Sequence, residues 1–403
     1  MAVGLEPVTD LAVIPGIRLS VASAGIKSSG KTDLVLITCD QGSQVAAVFT
    51  KNRFCAAPVS ICREHLASGR VRAALVNSGN ANAGTGVDGI ENARACCESL
   101  ARVLGIESDE VLPFSTGVIG QRLPVEKITG AIPGLVESQK DAAWVDAARG
   151  IMTTDTMPKG RSARIQLSAG EVNLTAIAKG AGMIRPDMAT LLVFMATDAN
   201  IAANDLQVAL ERAADVSFNR ITVDGDTSTN DSCLLMATGK SGINIEPGSK
   251  DYELFEKELT RIATELAQDV IRDAEGITKF ITLNVINGAT EKDCLDIAYT
   301  IAHSPLVKTA FFASDANWGR ILAAVGRAPV DIELPKIRIM LDEVTIVENG
   351  GVAASYTEEA GQQVMNREEI TVTVDLDQGN DCVKVWTTDL SHDYVKINAE
   401  YRS

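Results

Sequence analysis

Residues 177–199 read IAKGAGMIRPDMATLLVFMATDA, and this stretch constrains the fold more than any other part of the chain. Its glycine-rich beginning, residues 179–182, predicts a flexible turn, and the apolar run 191–196 predicts a buried β-strand. Thr190 stands where the two meet. If the Ala189–Thr190 bond were cut, Thr190 would carry a hydroxyl nucleophile and a free α-amine to act as its base. The pattern favours backbone chemistry at this strand, with an ordinary buried strand as the alternative.

Length and composition indicate a folded, enzyme-sized chain. Its 403 residues can bury more than one core, so two lobes are expected. The hydrophobic fraction of 46% against a charged fraction of 22% excludes global disorder. No apolar run approaches the roughly 20 residues that span a bilayer, so we expect no membrane partner. The net charge of −16 argues against nucleic acid and anionic membranes as partners, but not against an anionic small molecule.

The eight cysteines and three histidines show no familiar catalytic or metal-binding pattern. No two cysteines form a C-x-x-C pair, and residues 1–16 lack the basic start and apolar core of a signal peptide. We therefore expect reduced cysteines and a cytoplasmic location. His65, His303 and His392 are far apart and follow no metal-ligand spacing, so no metal or other cofactor is expected. Catalysis would then need a base other than histidine.

The hydrophobic periodicity predicts the α/β class, with mixed α+β as the alternative. Residues 33–38 and 45–49 are predicted as neighbouring strands around a turn at 40–42. Residues 370–376 and 382–388 are predicted as a hairpin. Further predictions are a strand at 73–76 and helices over 88–104, over 255–270 and from 290 onward.

Four other segments carry more glycine and small polar residues than packing requires. Residues 77–86 follow a predicted strand and precede a helix, so their amides could face a ligand, although they match neither the dinucleotide fingerprint nor the P-loop. Residues 152–159 form a dense hydroxyl cluster. In the segment 114–120, Thr116 and Gly117 could stabilise an oxyanion, with a tight turn as the alternative. The acids of 222–231 are similar to a calcium loop but lack its twelfth-position glutamate, so calcium is not expected.

Seven motifs follow one another along the chain. They are NSGNANAGTG (77–86), STGVIG (115–120), TTDTMPK (153–159), KGAGMIRPDMATLL (179–192), TVDGDTSTND (222–231), FFASDANWGR (311–320) and NAEYRS (398–403). In this order they resemble the glutamate N-acetyltransferase (ornithine acetyltransferase) family of arginine biosynthesis, and the resemblance extends from Ser23 to Ser403. Two small departures are Ala181, where the family often has serine, and Ser403, where it often has threonine.

The resemblance implies a precursor that cuts itself before the threonine of the M-A-T-[LM]-L motif. The cut would fall between Ala189 and Thr190 and give an N-terminal fragment, 1–189, and a C-terminal fragment, 190–403. Two copies of each fragment would assemble into a heterotetramer. The implied fold is a two-lobed α/β structure, similar to self-cleaving aminopeptidases, with the site between the lobes.

The implied reaction is ping-pong acetyl transfer from N2-acetylornithine to glutamate. Thr190 would be the nucleophile, and Thr116 and Gly117 would form the oxyanion hole. Lys179 would bind a substrate carboxylate, and Glu275 would bind a substrate ammonium group. The positions that match the family's substrate contacts are Thr153, Lys179, Thr190, Glu275, Asn398 and Ser403.

The residues themselves leave two other functions open. One is a self-processed amidase or aminopeptidase that uses the same threonine with water as acceptor. The other is a non-enzymatic protein that binds a small anionic ligand through its glycine-rich loops. Many members of the family also accept acetyl-CoA, and no single residue decides whether this chain does.

Overall fold

The computed structural model describes residues 2–27, 30–185 and 191–400, and it confirms the mixed α/β class. The predicted cleavage bond Ala189–Thr190 and the predicted substrate contact Ser403 lie outside the described residues. Within these ranges, no helix combines the length and the apolar character needed to cross a bilayer.

Fifteen strands lie in the described part of the chain. They are β1 (Ile17–Ala22), β2 (Leu34–Cys39), β3 (Gln44–Phe49), β4 (Ala73–Asn80), β5 (Val111–Val118), β6 (Lys159–Leu167), β7 (Gly170–Lys179), β8 (Leu192–Thr197), β9 (Ser232–Ala237), β10 (Phe280–Gly288), β11 (Arg338–Leu341), β12 (Val344–Glu348), β13 (Gly351–Val352), β14 (Glu369–Asp375) and β15 (Asp381–Thr388).

Eleven α-helices accompany these strands over the same described ranges. They are α1 (Ala57–Leu66), α2 (Gly86–Leu104), α3 (Val125–Glu137), α4 (Trp144–Ile151), α5 (Ala203–Val216), α6 (Lys250–Arg272), α7 (Glu291–Ala302), α8 (Pro305–Phe312), α9 (Trp318–Arg327), α10 (Glu358–Met365) and α11 (His392–Ala399).

The first lobe is a four-layer sandwich of helices, two sheets and helices. One sheet has the order β1-β2-β4-β5 and the other the order β3-β9-β8-β7-β6. Phe114 and Phe194 pack edge to face in the core between the two sheets, with a centroid distance of 5.1 Å. Helices α2 and α3 cover the outer face of the first sheet, and α5 and α6 cover that of the second.

The position of β8 explains the unbroken apolar run in the sequence. Val193 and Met195 face the core beneath α5 and α6, whereas Leu192 and Phe194 face the core between the sheets. A strand with a hydrophobic core on both sides needs apolar residues at every position rather than at alternate ones. The prediction of a buried strand here is confirmed.

The second lobe is built on the six-stranded sheet β13-β12-β11-β14-β10-β15. Its core includes Ile297 and Ile301 of α7 and Val325 of α9, packed against strands β10, β11 and β14. The Thr290 side chain accepts a hydrogen bond from the Asp293 backbone and caps α7 where the sequence predicted a helix start. Two lobes, as expected from chain length, are therefore present.

Two predicted strand pairings are wrong, although the strands themselves exist. β2 and β3 belong to different sheets, because β1 and β4 occupy both edges of β2 while β3 pairs with β9. β14 and β15 do not form a hairpin, because β10 lies between them, parallel to β14 and antiparallel to β15. The predicted strand at 73–76 is also longer than expected and continues to Asn80 as β4.

Candidate active site

The ends of β4 and β5 bring two glycines into contact and place Thr116 beside them. Ser78 pairs with Thr116 and Gly79 with Gly117 in the parallel register of these strands. Gly117 has a φ of +133°, and a Cβ at this position would overlap the backbone of Gly79. Only glycine allows this approach. The predicted turn lies at residues 119–120, just beyond β5, whereas Thr116 and Gly117 belong to the end of the strand.

Lys179, the last residue of β7, faces Thr116. Its Nζ donates a hydrogen bond to Thr116 Oγ1 at 3.1 Å, and the lysine is only 9% exposed. Burial lowers the pKa of Lys179 below its ordinary value, while the nearby Asp155 carboxylate opposes that effect. The result is a desolvated amine in reach of the predicted oxyanion residue.

Glu275 and Asn398 form a second polar wall. The Asn398 side-chain amide donates to Glu275 Oε2 at 2.7 Å, and the Glu275 backbone N–H donates to the carbonyl of Ala181 at 3.0 Å. A Cβ at Gly182 would overlap the Glu275 carboxylate. The second glycine of the KGAG segment is thus required by the approach of this acid.

One cavity of about 260 Å³ unites every predicted site residue that the structure describes. Its walls include Thr116, Gly117, Thr153, Lys179, Glu275 and Asn398. Leu191, which is bonded to Thr190, lines a small adjoining cavity with Thr116 and Lys179. Six residues from distant parts of the sequence therefore meet in a cavity close to Leu191, the residue that follows Thr190.

A buried ion triad, which sequence reasoning missed, fixes the segments around this cavity. Lys159 Nζ donates to Asp155 Oδ1 at 2.8 Å and to Asp273 Oδ2 at 2.7 Å, and all three side chains are at most 1% exposed. Asp155 also accepts the backbone N–H of Thr153 at 3.0 Å and that of Gly180 at 2.8 Å. The i, i+4 spacing of Asp155 and Lys159 was the available signal.

The charges of this triad stabilise each other. Burial raises the pKa of Asp155, but the ammonium groups of Lys159 and then Lys179 outweigh it and hold the pKa well below its usual range. Burial likewise lowers the pKa of Lys159, and the two aspartates outweigh it and raise the pKa overall. The surroundings of Asp155 and of Lys159 therefore both favour the charged form of the group.

Comparison with known proteins decides the family. A match to the ArgJ family extends over residues 18–403. The chain belongs to the ArgJ family. Three curated relatives are each named arginine biosynthesis bifunctional protein ArgJ. They come from Pseudomonas syringae (50% identity, 100% of both chains), Pseudomonas fluorescens (51%, 100% of both) and Methylococcus capsulatus (55%, 98% of this chain and 97% of the relative).

Two solved structures are also similar to this ArgJ family member. Arginine biosynthesis bifunctional protein ArgJ from Bacillus halodurans is 37% identical and covers 51% of this chain and 96% of its own, with a TM-score of 0.49. Ornithine acetyltransferase from Mycobacterium tuberculosis, solved with ornithine, is 36% identical and covers 44% and 94%, with a TM-score of 0.41. The family assignment rests on the sequence matches.

Membership of the ArgJ family confirms the predicted class of activity. The chain is an acyltransferase of arginine biosynthesis and works on small molecules. This outcome disfavours both the amidase and the non-enzymatic alternatives. The roles of the individual cavity residues stay predictions.

Asp231 is a second polar group that sequence reasoning missed in this ArgJ family member. It lines the small cavity beside Leu191 and Lys179, and burial raises the pKa of its carboxyl well above the ordinary value. Its Oδ2 has no hydrogen-bond partner among the described residues. The side-chain amide of its neighbour Asn230 donates to the carbonyls of Ala81 and Ser115 at 2.6 and 2.9 Å, which ties the segment before β9 to the ends of β4 and β5.

The acid-rich segment 222–231 supports the loop that leads to the predicted cleavage point. Asp224 accepts the backbone N–H groups of Met183 and Ile184 at 2.7 and 2.9 Å, and the Tyr394 hydroxyl donates to it at 3.1 Å. Its carboxylate thus holds the chain just after Gly182. Within residues 2–27, 30–185 and 191–400, no group of three metal-ligating side chains comes together.

Proposed function

We propose that this protein transfers the acetyl group of N2-acetylornithine to glutamate through an acetyl ester on Thr190. The observation that carries the proposal is the cavity of about 260 Å³, which places an amine and a carboxylate on its walls. Both amino-acid substrates carry a carboxylate and an ammonium group. A small cavity with both charges suits either one in turn, as a ping-pong reaction requires.

Lys179 binds the substrate carboxylate in this proposal, and Glu275 binds the ammonium. Charge-assisted hydrogen bonds of this kind are roughly twice as strong as neutral ones. Asn398 holds the Glu275 carboxylate at 2.7 Å and so orients it. Thr153, which lines the same cavity, and Ser403 complete the proposed contacts.

Self-processing precedes the acetyl transfer. The Thr190 hydroxyl attacks the carbonyl carbon of Ala189, the C–N bond breaks, and the nitrogen takes the hydroxyl proton to become the α-amine of Thr190. Water then hydrolyses the ester and releases the carboxylate of Ala189. Strands β7 and β8 flank this bond and pair from Leu174–Thr197 to Lys179–Leu192, so the two fragments share a sheet after the cut.

The acetyl transfer reuses the same threonine. The α-amine has a reference pKa of about 7.7–8.0, so part of it is neutral and accepts the hydroxyl proton. Thr190 attacks the acetyl carbonyl, the C–N bond to ornithine breaks, and the ornithine amine takes that proton. The neutral α-amine of glutamate then attacks the ester carbonyl, the C–O bond to Thr190 breaks, and the Thr190 oxygen takes a proton from the attacking nitrogen through the α-amine of Thr190. Thr116 and Gly117 stabilise the oxyanion in both halves, a contribution on the order of 3 kcal/mol per donor.

We extend the proposal to assembly and location. Two copies of each fragment associate, as the family resemblance implies, and the enzyme needs no cofactor. All eight cysteines are unpaired, and six of them are buried, which is the usage of a reducing compartment and supports a cytoplasmic location. The bifunctional names of the curated relatives support acetyl-CoA as a second acetyl donor.

A product assay tests the proposed transfer against hydrolysis. The enzyme is incubated with N2-acetylornithine and glutamate, and N-acetylglutamate and free acetate are both quantified. We expect N-acetylglutamate in amounts that match the ornithine released. Acetate as the main product would instead establish the amidase alternative.

Thr190→Ala tests self-processing. On a denaturing gel we expect two fragments from the native sequence and one intact chain from Thr190→Ala, because the variant lacks the attacking hydroxyl. Thr309→Ala, on the exposed side of α8, is the matched control and should be cleaved normally. An intact native chain, or cleavage of Thr190→Ala, would contradict the proposal.

A further inference from the structure

The self-processing reaction needs a base other than the α-amine of Thr190. That amine is an amide nitrogen until the Ala189–Thr190 bond is cut, so it cannot activate the hydroxyl for the cut itself. A hydroxyl group is a weak nucleophile unless a neighbouring group accepts its proton. The three histidines of the chain line neither the substrate cavity nor the small cavity beside Leu191. The acceptor must therefore be another side chain near Thr190.

Asp231 lies beside the residue that follows Thr190. In the parallel pairing of β8 with β9, Leu192 is opposite Ser232, and the Ser232 backbone N–H donates to the Leu191 carbonyl at 2.9 Å. Asp231 and Leu191, each one residue earlier, are therefore neighbours at the same end of the two strands. Both line the small cavity, which has a volume of about 30 Å³.

The walls of the small cavity separate Asp231 from the proposed substrate contacts. Asp231 and Leu191 line this space but not the cavity of about 260 Å³. The acid of the larger cavity is Glu275, which does not line the smaller one. A volume of about 30 Å³ holds about two water molecules and no amino acid. Asp231 is thus placed at the chain that leads to Thr190 rather than at the substrate.

The Asp231 carboxyl is buried, and one of its oxygens is free to accept a proton. The residue is 3% exposed, and Oδ2 has no hydrogen-bond partner within the ranges that the structure describes. The Thr50 backbone N–H donates to the Asp231 carbonyl at 3.0 Å and fixes its backbone. Burial raises the pKa of the carboxyl, although hydrogen bonds from Ser228 and the charge of Lys179 oppose this effect. A carboxylate with a raised pKa is a stronger base than an ordinary aspartate.

We propose that Asp231 carries the proton of the Thr190 hydroxyl to the departing nitrogen during self-cleavage. The inference rests on the proposed self-processing and names the base that starts it. Oδ2 of the carboxylate accepts the hydroxyl proton as the Thr190 oxygen bonds to the carbonyl carbon of Ala189. The C–N bond then breaks, and Asp231 gives the proton to the nitrogen, which becomes the α-amine. The carboxylate is regenerated, so the shift consumes no other reactant.

Lys179 is the other ionisable group on the wall of the small cavity, and its contacts suit a different task. Its Nζ donates to Thr116 Oγ1 at 3.1 Å, on the side of the proposed oxyanion hole. An ammonium group has no lone pair with which to accept a proton. Its positive charge instead favours the carboxylate form of Asp231, which is the form that acts as a base.

Asp231→Asn tests the inference, because it keeps the shape of the side chain and removes the base. The chain is made by cell-free synthesis, and the cleaved fraction is followed over time on a denaturing gel. We expect cleavage at least about 100-fold slower than in the native chain, since general acid–base catalysis contributes about 10²–10⁴-fold. Asp269→Asn is the matched control. Asp269 is also buried with a raised pKa but lines neither cavity, so this variant should be cleaved at the native rate.

Three further measurements separate proton transfer from a structural role. The melting temperature of uncleaved Asp231→Asn should match that of Thr190→Ala, which is also expected to stay intact. Formate should restore cleavage in Asp231→Ala, because it supplies a carboxylate to the space that this variant opens. Hydroxylamine at neutral pH cleaves an ester far more readily than an amide. It should leave Asp231→Asn intact after Ala189, because the ester does not form.

Each of these results has an opposite that would overturn the inference. A smaller decrease in the cleavage rate of Asp231→Asn would do so. Prompt cleavage of that variant by hydroxylamine would too, because it would place Asp231 in ester hydrolysis alone. A lower melting temperature of Asp231→Asn, or no effect of formate on Asp231→Ala, would reduce Asp231 to a structural residue. A native chain that is never cleaved would instead contradict the proposed function.

Discussion

Gly117 and Gly182 allow close approaches that fix the two walls of the cavity. Gly117 lets the end of β5 meet Gly79 of β4, and Gly182 makes room for the Glu275 carboxylate. Other glycines of the chain face open space, such as Gly134 in α3. The two site glycines are required by what lies opposite them rather than by turn geometry alone.

Gly182→Ala should impair substrate binding. The new methyl group would displace the Glu275 carboxylate, and misplacement of a substrate-positioning group by about 1 Å can cost on the order of 100-fold in rate. We expect KM for both amino-acid substrates to rise at least about tenfold, measured by steady-state kinetics. Gly134→Ala, in an exposed helix interior, should leave KM unchanged and stabilise the fold by up to about 1 kcal/mol. Equal kinetics for the two variants would refute the assignment of Glu275.

At the level of elements, the Lys159 triad joins the segments that carry the site. Asp155 holds the backbone of Thr153 and Gly180, and Asp273 holds the backbone of Thr156 and Met157 at 3.0 and 3.2 Å. Asp273 follows α6 directly and precedes Glu275 by two residues. One buried ammonium therefore sets the relative positions of the loop after α4, the end of β7 and the end of α6.

Lys159→Met should destabilise the protein strongly. Its loss leaves two buried carboxylates without their counter-charge, and removal of one partner from a buried ion pair costs about 3–5 kcal/mol. Urea unfolding of the processed enzyme measures this difference. Lys159→Met combined with Asp155→Asn and Asp273→Asn should recover part of the loss, because no uncompensated charge remains. A single variant as stable as the native enzyme would contradict this role for the triad.

The helices and strands could be predicted from the sequence more reliably than the pairing of the strands in the sheets. The apolar run of β8 and the start of α7 are local signals, so both were predicted correctly. The pairing of β2 with β3 and of β14 with β15 was predicted wrongly, because β10 and β9 come from far along the chain and local patterns do not reveal them. The cavity residues were found through motif resemblance, whereas Asp231 and Asp273 are recognised only once burial is known, and the spacing of Lys159 from Asp155 was the one sequence signal for the ion triad.

At the scale of the whole molecule, the predicted cut divides the chain but not the fold. Fragment 1–189 contributes β3, β6 and β7 to the five-stranded sheet, and fragment 190–403 contributes β8 and β9. The N-terminal fragment supplies Thr116, Gly117, Thr153 and Lys179 to the cavity, and the C-terminal fragment supplies Glu275 and Asn398. The site is therefore complete only when both fragments stay together, so cleavage can create the α-amine of Thr190 without dismantling the cavity.

Mass spectrometry of the acetyl-enzyme tests the central claim most directly. The enzyme is incubated with N2-acetylornithine alone, quenched in acid and separated into its fragments. We expect fragment 190–403 to gain the mass of one acetyl group, located on Thr190, and to lose it when glutamate is added before the quench, as N-acetylglutamate appears. Formation of N-acetylglutamate from a fragment that never carries the acetyl group, or from an uncleaved chain, would contradict the account.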